Sequence, residues 1–257
     1  MNYGLYIATS GLQTSIARQD SLANNLANVG TAAFKPDVLA TRQRDAARIE
    51  DHLPFLPSNR LLERLGAGVV PAPVRIDLTQ GPMEQTGREL DLAIEGEGFL
   101  SVRAGPGPDG IQLTRDGRLA ITSDGNLVTA ADGLPVLDED DDSIRLIPGE
   151  RVTIQSDGEI LQNHQAVARL RLTSIADPTR LRKAGHGLFA GAPDEPLDRR
   201  PAAGRLVQGH IEASGTSPVK TMVDVTDATR AIETNAAMIR HLSDLMGRAI
   251  NTFGRVT

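Results

Sequence analysis

The sequence predicts an α+β protein in which long helices at the two ends of the chain flank a central, hairpin-rich all-β domain. Three observations carry this. Apolar residues recur at three- and four-residue steps near both termini, short β-branched segments fill the middle, and Asp-Gly turns punctuate them every eight residues.

The first helix is expected to run to about Val29. Leu5, Ala8, Leu12, Ile16, Leu22, Leu26 and Val29 form its apolar stripe. Gly30 follows as a C-terminal stop. Gly11 lies inside and costs about 1 kcal/mol relative to alanine, which a close backbone approach by a neighbour would explain. The stretch "LANNLANVGTAAFK" also places Asn24, Asn25 and Asn28 among leucines, although asparagine is a mediocre helix former. Residues 36–68 read as a connecting arm with a short helical pattern broken by Pro54 and Pro57.

From about Val69 the pattern becomes strands and turns, through "LDLAIEG", "GFLSVR", "IQLTRDG", "RLAITSDG", "NLVTAADG", "RVTIQSDG" and "VARLRLTSI". Asp116-Gly117, Asp124-Gly125 and Asp132-Gly133 read as successive hairpin turns. The last helix opens with Ser217 as cap and Pro218 at its first position. Its stripe is Met222, Val225, Thr229, Ile232, Ala236, Ile239, Ser243, Met246, Ile250 and Phe253. At about 1.5 Å per residue this helix spans roughly 55 Å, far longer than the usual three to four turns. The expected domains are residues 1–35 and 217–257 as one discontinuous helical assembly domain, the arm at 36–68, and the β-rich domain at 69–216. Two amphipathic helices cannot bury their stripes on a β-domain that has its own core, so they are expected to pair with each other or with other copies.

Composition narrows the function. The 257-residue chain is 40% hydrophobic and 23% charged, as in ordinary globular proteins. With only 3% aromatic residues, no tryptophan and a net charge of −6, it lacks the stacking platforms and basic field of nucleic-acid binders. The absence of cysteine excludes disulfides, thiolate metal sites and cysteine nucleophiles. No apolar run reaches membrane-spanning length, and the N-terminus carries no conventional secretory signal.

Sharper chemistry finds no support in the pattern. His52, His164, His186, His210 and His241 have no metal-ligand spacing, and "GHG" at 185–187 reads as a turn. The acidic run Asp138–Asp142 lacks EF-hand spacing and reads as a solvated, self-repelling loop. "GPGPDG" at 105–110 and "GEG" at 96–98 are no phosphate loop, and no carboxylate pair stands out as catalytic. No cofactor, metal, small-molecule substrate or enzymatic activity is expected.

Four blocks nevertheless resemble a known family, the axial proteins of the bacterial flagellar rod and hook. "SGLQTSIARQDSLANNLANVGTAAFK" is similar to its N-terminal signature and "DLAIEGEGFLSV" to its glycine-phenylalanine strand. "LTRDGRLAITSDGNLVTAADGLPV" resembles the following hairpin, and "GHIEASGTSPVKTMVDVTDATRAIETNAAMI" the entry to the C-terminal helix. The resemblance implies a non-enzymatic rod subunit whose terminal helices build a torque-transmitting tube. Its partners would be copies of itself and other rod or hook axial proteins. Export would pass through the flagellar type III apparatus into a basal-body rod crossing the periplasm, without membrane insertion. Thr229 stands where the family commonly has glutamine and Ile232 where it has tyrosine, which favours the proximal rod over the distal rod. The assembly faces so implied are Leu12, Leu22, Asn25, Leu26, Asn28 and Val29 on the first helix, and Met222, Val225, Ile232, Ala236, Ile239, Met246 and Ile250 on the last. The asparagine amides would bond across neighbouring helices and penalise shifted registers. The alternative from another class is a ligand- or surface-binding β-domain that the helices merely oligomerise; a pocket with convergent polar groups would favour it.

Overall fold

The computed structural model describes residues 3–45, 66–106, 110–191 and 198–253. The helical pattern expected in the arm, His52 and the middle of Gly105–Gly110 lie outside them. The chain forms two compact units, each discontinuous in sequence. One comprises Met1–Ala27, Asp37–Arg75 and Pro218–Thr257, the other Asn28–Pro36 and Ile76–Ser217.

The first unit holds both long helices, α1 (Tyr3–Ala27) and α2 (Pro218–Phe253). Hydroxyls inside α1 are satisfied by bonding back to carbonyls one turn earlier: Thr9 to Leu5, Thr14 to Ser10 and Ser15 to Gly11. The helix stops at Ala27, and Gly30 does not adopt the left-handed conformation of a glycine cap. Ala33 takes a positive φ of 54° instead. Thr41–Gln43 of the arm pairs in an antiparallel ribbon with Val69–Pro71, which lies in this unit rather than in the β-rich one. It is fastened to α1 where the Val69 N–H donates to Ser10 Oγ at 3.2 Å.

The second unit is β-rich. Its largest sheet has six strands in the order Arg182–Gly185, Leu188–Ala190, Ile111–Thr114, Phe99–Arg103, Leu172–Ile175 and Arg199–Pro201, every neighbouring pair antiparallel. Alternation along Phe99–Arg103 feeds two cores. Leu100 and Val102 join Leu92, Ile94, Leu119, Leu127, Val136 and Ile160 in the larger one. Phe99 packs with Leu113, Ile175, Leu181 and Phe189 in the smaller, its ring edge-on to Phe189 at 5.5 Å between centroids. Two short ribbons complete the frame, Arg205–Gln208 with Leu92–Glu95 and His210–Glu212 with Met83–Gln85.

The Asp-Gly turns divide. Gly125 and Gly133 have positive φ and reverse the chain as expected, the first between Leu119–Ile121 and Leu127–Thr129. Asp116-Gly117 is no hairpin. The strands on either side pair elsewhere, and the Asp116 carboxylate instead binds the Arg118 side chain and main chain. Gly117 is required by close approach, since a Cβ there would lie 1.6 Å from the Leu92 carbonyl oxygen.

Candidate assembly surface and the clamps that frame it

The α1–α2 seam carries polar cross-links among half-buried apolar side chains. Gln19 Nε2 donates to Thr229 Oγ1 at 3.3 Å and Asn235 Nδ2 to Ser15 Oγ at 3.4 Å, so the helices run antiparallel. Gly11 lets α2 approach, because a Cβ there would meet Asn235 Oδ1 at 3.1 Å. On α2, Thr221 and Ala228 are buried, and Val225, Ile232, Asn235, Ile239, Leu242 and Met246 are half-buried. This is a 3-4 stripe displaced by one position from the predicted one on alternate members. Val225, Ile232, Ile239 and Met246 belong to both stripes. Ala236 is half-buried at the border, while Met222 and Ile250 are 56% and 72% exposed. At the cross-links α1 offers Gly11, Ser15 and Gln19, which face Asn235 and Thr229 and set which flank of α2 is covered. Large apolar side chains are left outside: Val219, Met222, Val223, Met238, Leu245 and Ile250 on α2, and Tyr6, Ile7 and Ile16 on α1. On α1, Leu12, Leu22 and Leu26 are half-buried, as are Asn28 and Val29 beyond its end.

The three asparagines separate in role. Asn24 is exposed. The Asn28 amide oxygen accepts from the Thr31 hydroxyl at 3.2 Å, in the turn that follows α1. Asn25 is only 4% exposed, and both ends of its amide are used within the chain. Nδ2 donates to the Asp37 carbonyl and Oδ1 accepts from the Asp37 N–H, each at 2.8 Å. The side chain thus imitates a strand partner for the residue that begins the arm. Within the chain this amide therefore acts as an internal clamp, a role the expectation of bonds between copies did not include.

In the β-rich unit a second clamp joins three distant segments. Lys35, Arg115 and Glu212 are all buried. Lys35 Nζ donates to Glu212 Oε1 at 2.6 Å and to the Thr79 carbonyl at 2.8 Å. Arg115 Nε donates to Glu212 Oε2 at 2.8 Å, and its remaining nitrogens reach the Ile94, Gly96 and Gly98 carbonyls. The Gly81 N–H completes the set on Glu212 Oε1 at 2.7 Å. Burial holds the Lys35 ammonium below the ordinary lysine value of 10.5; Glu212 pulls the other way and Arg115 adds to the lowering. The main chain is paired at the same place: Ala33 N–H to the Glu212 carbonyl at 2.7 Å and Gly215 N–H to that of Phe34 at 2.9 Å.

Two other features were legible only in part. The acidic run is not merely solvated. Asp141 accepts from Arg171 and Arg199, and its carbonyl takes a bond from Arg103, while Asp138 Oδ1 caps the Asp140 and Asp142 N–H groups. A cavity of about 370 Å³ opens beside Arg115, walled by Leu78, Phe99, Ile175, Pro178 and Leu181. Its guanidinium is already committed to Glu212 and three carbonyls, so it does not converge on the cavity as a ligand-binding group.

Three family descriptions match the chain in order. "Flagella basal body rod protein" covers residues 5–35, "Flagellar hook protein FlgE/F/G D1 domain" residues 93–162, and "Flagellar basal body rod FlgEFG protein C-terminal" residues 207–252. The flagellar basal-body rod protein FlgF of Caulobacter vibrioides is 32% identical over the full length of both chains. The chain belongs to the flagellar basal-body rod protein family. The FlgF protein of Rhizobium meliloti is 31% identical over 99% of each chain, and the FlgG protein of Buchnera aphidicola subsp. Schizaphis graminum is 31% identical over 94% of this chain and 96% of its own. This rod protein is therefore a structural protein of the flagellar basal body, as the sequence resemblance implied. Lys35, Arg115 and Glu212 fall one in each of the three matched stretches. All three lie within the motifs that carry the resemblance, where nothing local marks them as partners. The available signal was a charged residue set against apolar or turn residues in each block. No described helix is long and apolar enough to cross a membrane.

Proposed function

We propose that this rod protein polymerises through the open apolar flanks of α1 and α2 into a tubular shaft that transmits torque, packing against copies of itself and other axial proteins. The supporting observation is the row of large apolar side chains left exposed on the helix pair, whose seam is cross-linked by polar groups. Covering each such leucine, isoleucine or methionine contributes about 1.5–3 kcal/mol, and many contacts of this kind load in parallel. Of the residues expected on the interface, Met222 and Ile250 lie on the open flank; Val225, Ile232, Ala236, Ile239 and Met246 border or line the seam. Leu12, Leu22, Leu26, Asn28 and Val29 remain partly accessible to neighbours, and Asn25 acts by holding the arm. The proximal rod is the favoured position, supported by the departures at Thr229, which serves Gln19, and at Ile232. Unfolded export through the type III apparatus, a rod crossing the periplasm, and a chain without catalytic activity complete the reading.

The experiment is the variant Met222→Glu/Leu245→Glu/Ile250→Glu. Its unfolding free energy in urea as a dilute monomer is expected to stay within about 0.5 kcal/mol of the parent per exposed site, while incorporation into basal bodies and swimming are lost. Normal swimming would overturn the assignment of this flank.

A further inference from the structure

The chain crosses between the two units four times, at 27/28, 36/37, 75/76 and 217/218, and the Lys35 cluster draws on the stretches beside the last three, through Lys35, through Thr79 and Gly81, and through Glu212. Lys35 and Glu212 are separated by 177 residues, yet share a bond of 2.6 Å with both side chains buried. Arg115 arrives from the middle of the chain. Glu212 is the common acceptor, so its carboxylate offsets two cations that fold in from different segments. A buried charge deprived of its partner is far more costly than a lost surface pair.

We propose that Lys35, Arg115 and Glu212 form a closure latch that makes native packing of this end of the β-rich unit conditional on segments 28–36 and 210–217 both being seated. Until residues 210–217 are in place, Lys35 and Arg115 lack the buried carboxylate they share, and the segment 28–36 stays open. A chain that has delivered its first two hundred residues therefore cannot close around segment 28–36 prematurely. The latch goes beyond assembly between copies, because it acts within one molecule and before any neighbour is present. Gly81 extends it to a fourth segment, and main-chain bonds at Ala33–Glu212 and Phe34–Gly215 join the same two stretches.

Amide hydrogen exchange on the dilute full-length protein tests it, comparing the parent with Glu212→Gln, Lys35→Met and the double variant. Glu212→Gln keeps the shape and removes the charge. It is expected to speed exchange at 28–36 and at 210–217 by the same factor, about 100-fold or more, while residues 119–162 keep their protection. Adding Lys35→Met to Glu212→Gln is expected to restore part of the lost protection, because one uncompensated buried cation is gone. A purely steric role predicts the opposite, a double variant worse than either single one. Unchanged exchange at 28–36 in Glu212→Gln, or a double variant no better than Glu212→Gln, would overturn the latch. Should Glu212→Gln fail to fold, the double variant still decides: recovery of a folded state supports the latch, and failure to recover overturns it.

Discussion

Replacing Asn25 by alanine isolates the clamp between α1 and the arm. The substitution deletes two hydrogen bonds of 2.8 Å, one in each direction, between the amide and the Asp37 main chain. Each such bond contributes about 1 kcal/mol net. The Asp37 carbonyl keeps a second donor, Ser21 Oγ at 3.2 Å. The expected cost is therefore about 2 kcal/mol. It should fall on the ribbon beside α1: exchange at residues 37–43 and 69–71 rises about 30-fold, with little change in the β-rich unit. Asn25→Asp should cost at least as much, since a carboxylate cannot donate to the Asp37 carbonyl. Chemical denaturation combined with peptide-resolved exchange reads both quantities. A cost below about 0.5 kcal/mol, within the range of ordinary surface changes, would refute the clamp and return Asn25 to the between-copy role that sequence reasoning gave it.

Two further outcomes follow from single positions. Gly117→Ala drives a Cβ into the Leu92 carbonyl, backbone against backbone, and should destabilise the β-rich unit by about 3 kcal/mol, the upper end of overpacking effects; a loss under about 1 kcal/mol in urea unfolding would contradict the close approach. Asp77 accepts from the Thr79 hydroxyl and main-chain N–H, which hold its carboxyl below the ordinary 3.8. A carboxylate lowered on folding adds stability above its unfolded value and loses it as the pH falls through the folded value. In a carboxyl NMR titration, Thr79→Val should raise the Asp77 midpoint toward 3.8; a parent midpoint already at or above 3.8 would refute the arrangement.

The latch and the asparagine clamp show where reading the sequence stopped. Strands at Leu92–Glu95, Phe99–Arg103 and Ile111–Thr114 were legible because alternation and β-branching are local. The strands at Arg182–Gly185 and Arg199–Pro201 were not, being basic sheet edges without alternation, the second ending in proline. The "GHG" turn between Lys183 and Leu188 was readable, and Gly185, His186 and Gly187 all take positive φ there.

By itself the sequence determined the order helix, arm, β-region, helix, the proline that opens α2, and the family, since each depends on residues a few positions apart or on motifs in fixed order. Tertiary structure alone decided which flank of the α2 stripe is covered. The answer depends on Gly11, Ser15 and Gln19, more than two hundred residues away. It also decided that Asn25 serves Asp37 and that Lys35 and Arg115 share Glu212. Hydrogen-bonding capacity and charge are written in each residue, but the partner that satisfies them is set by which segments the fold brings within 3 Å.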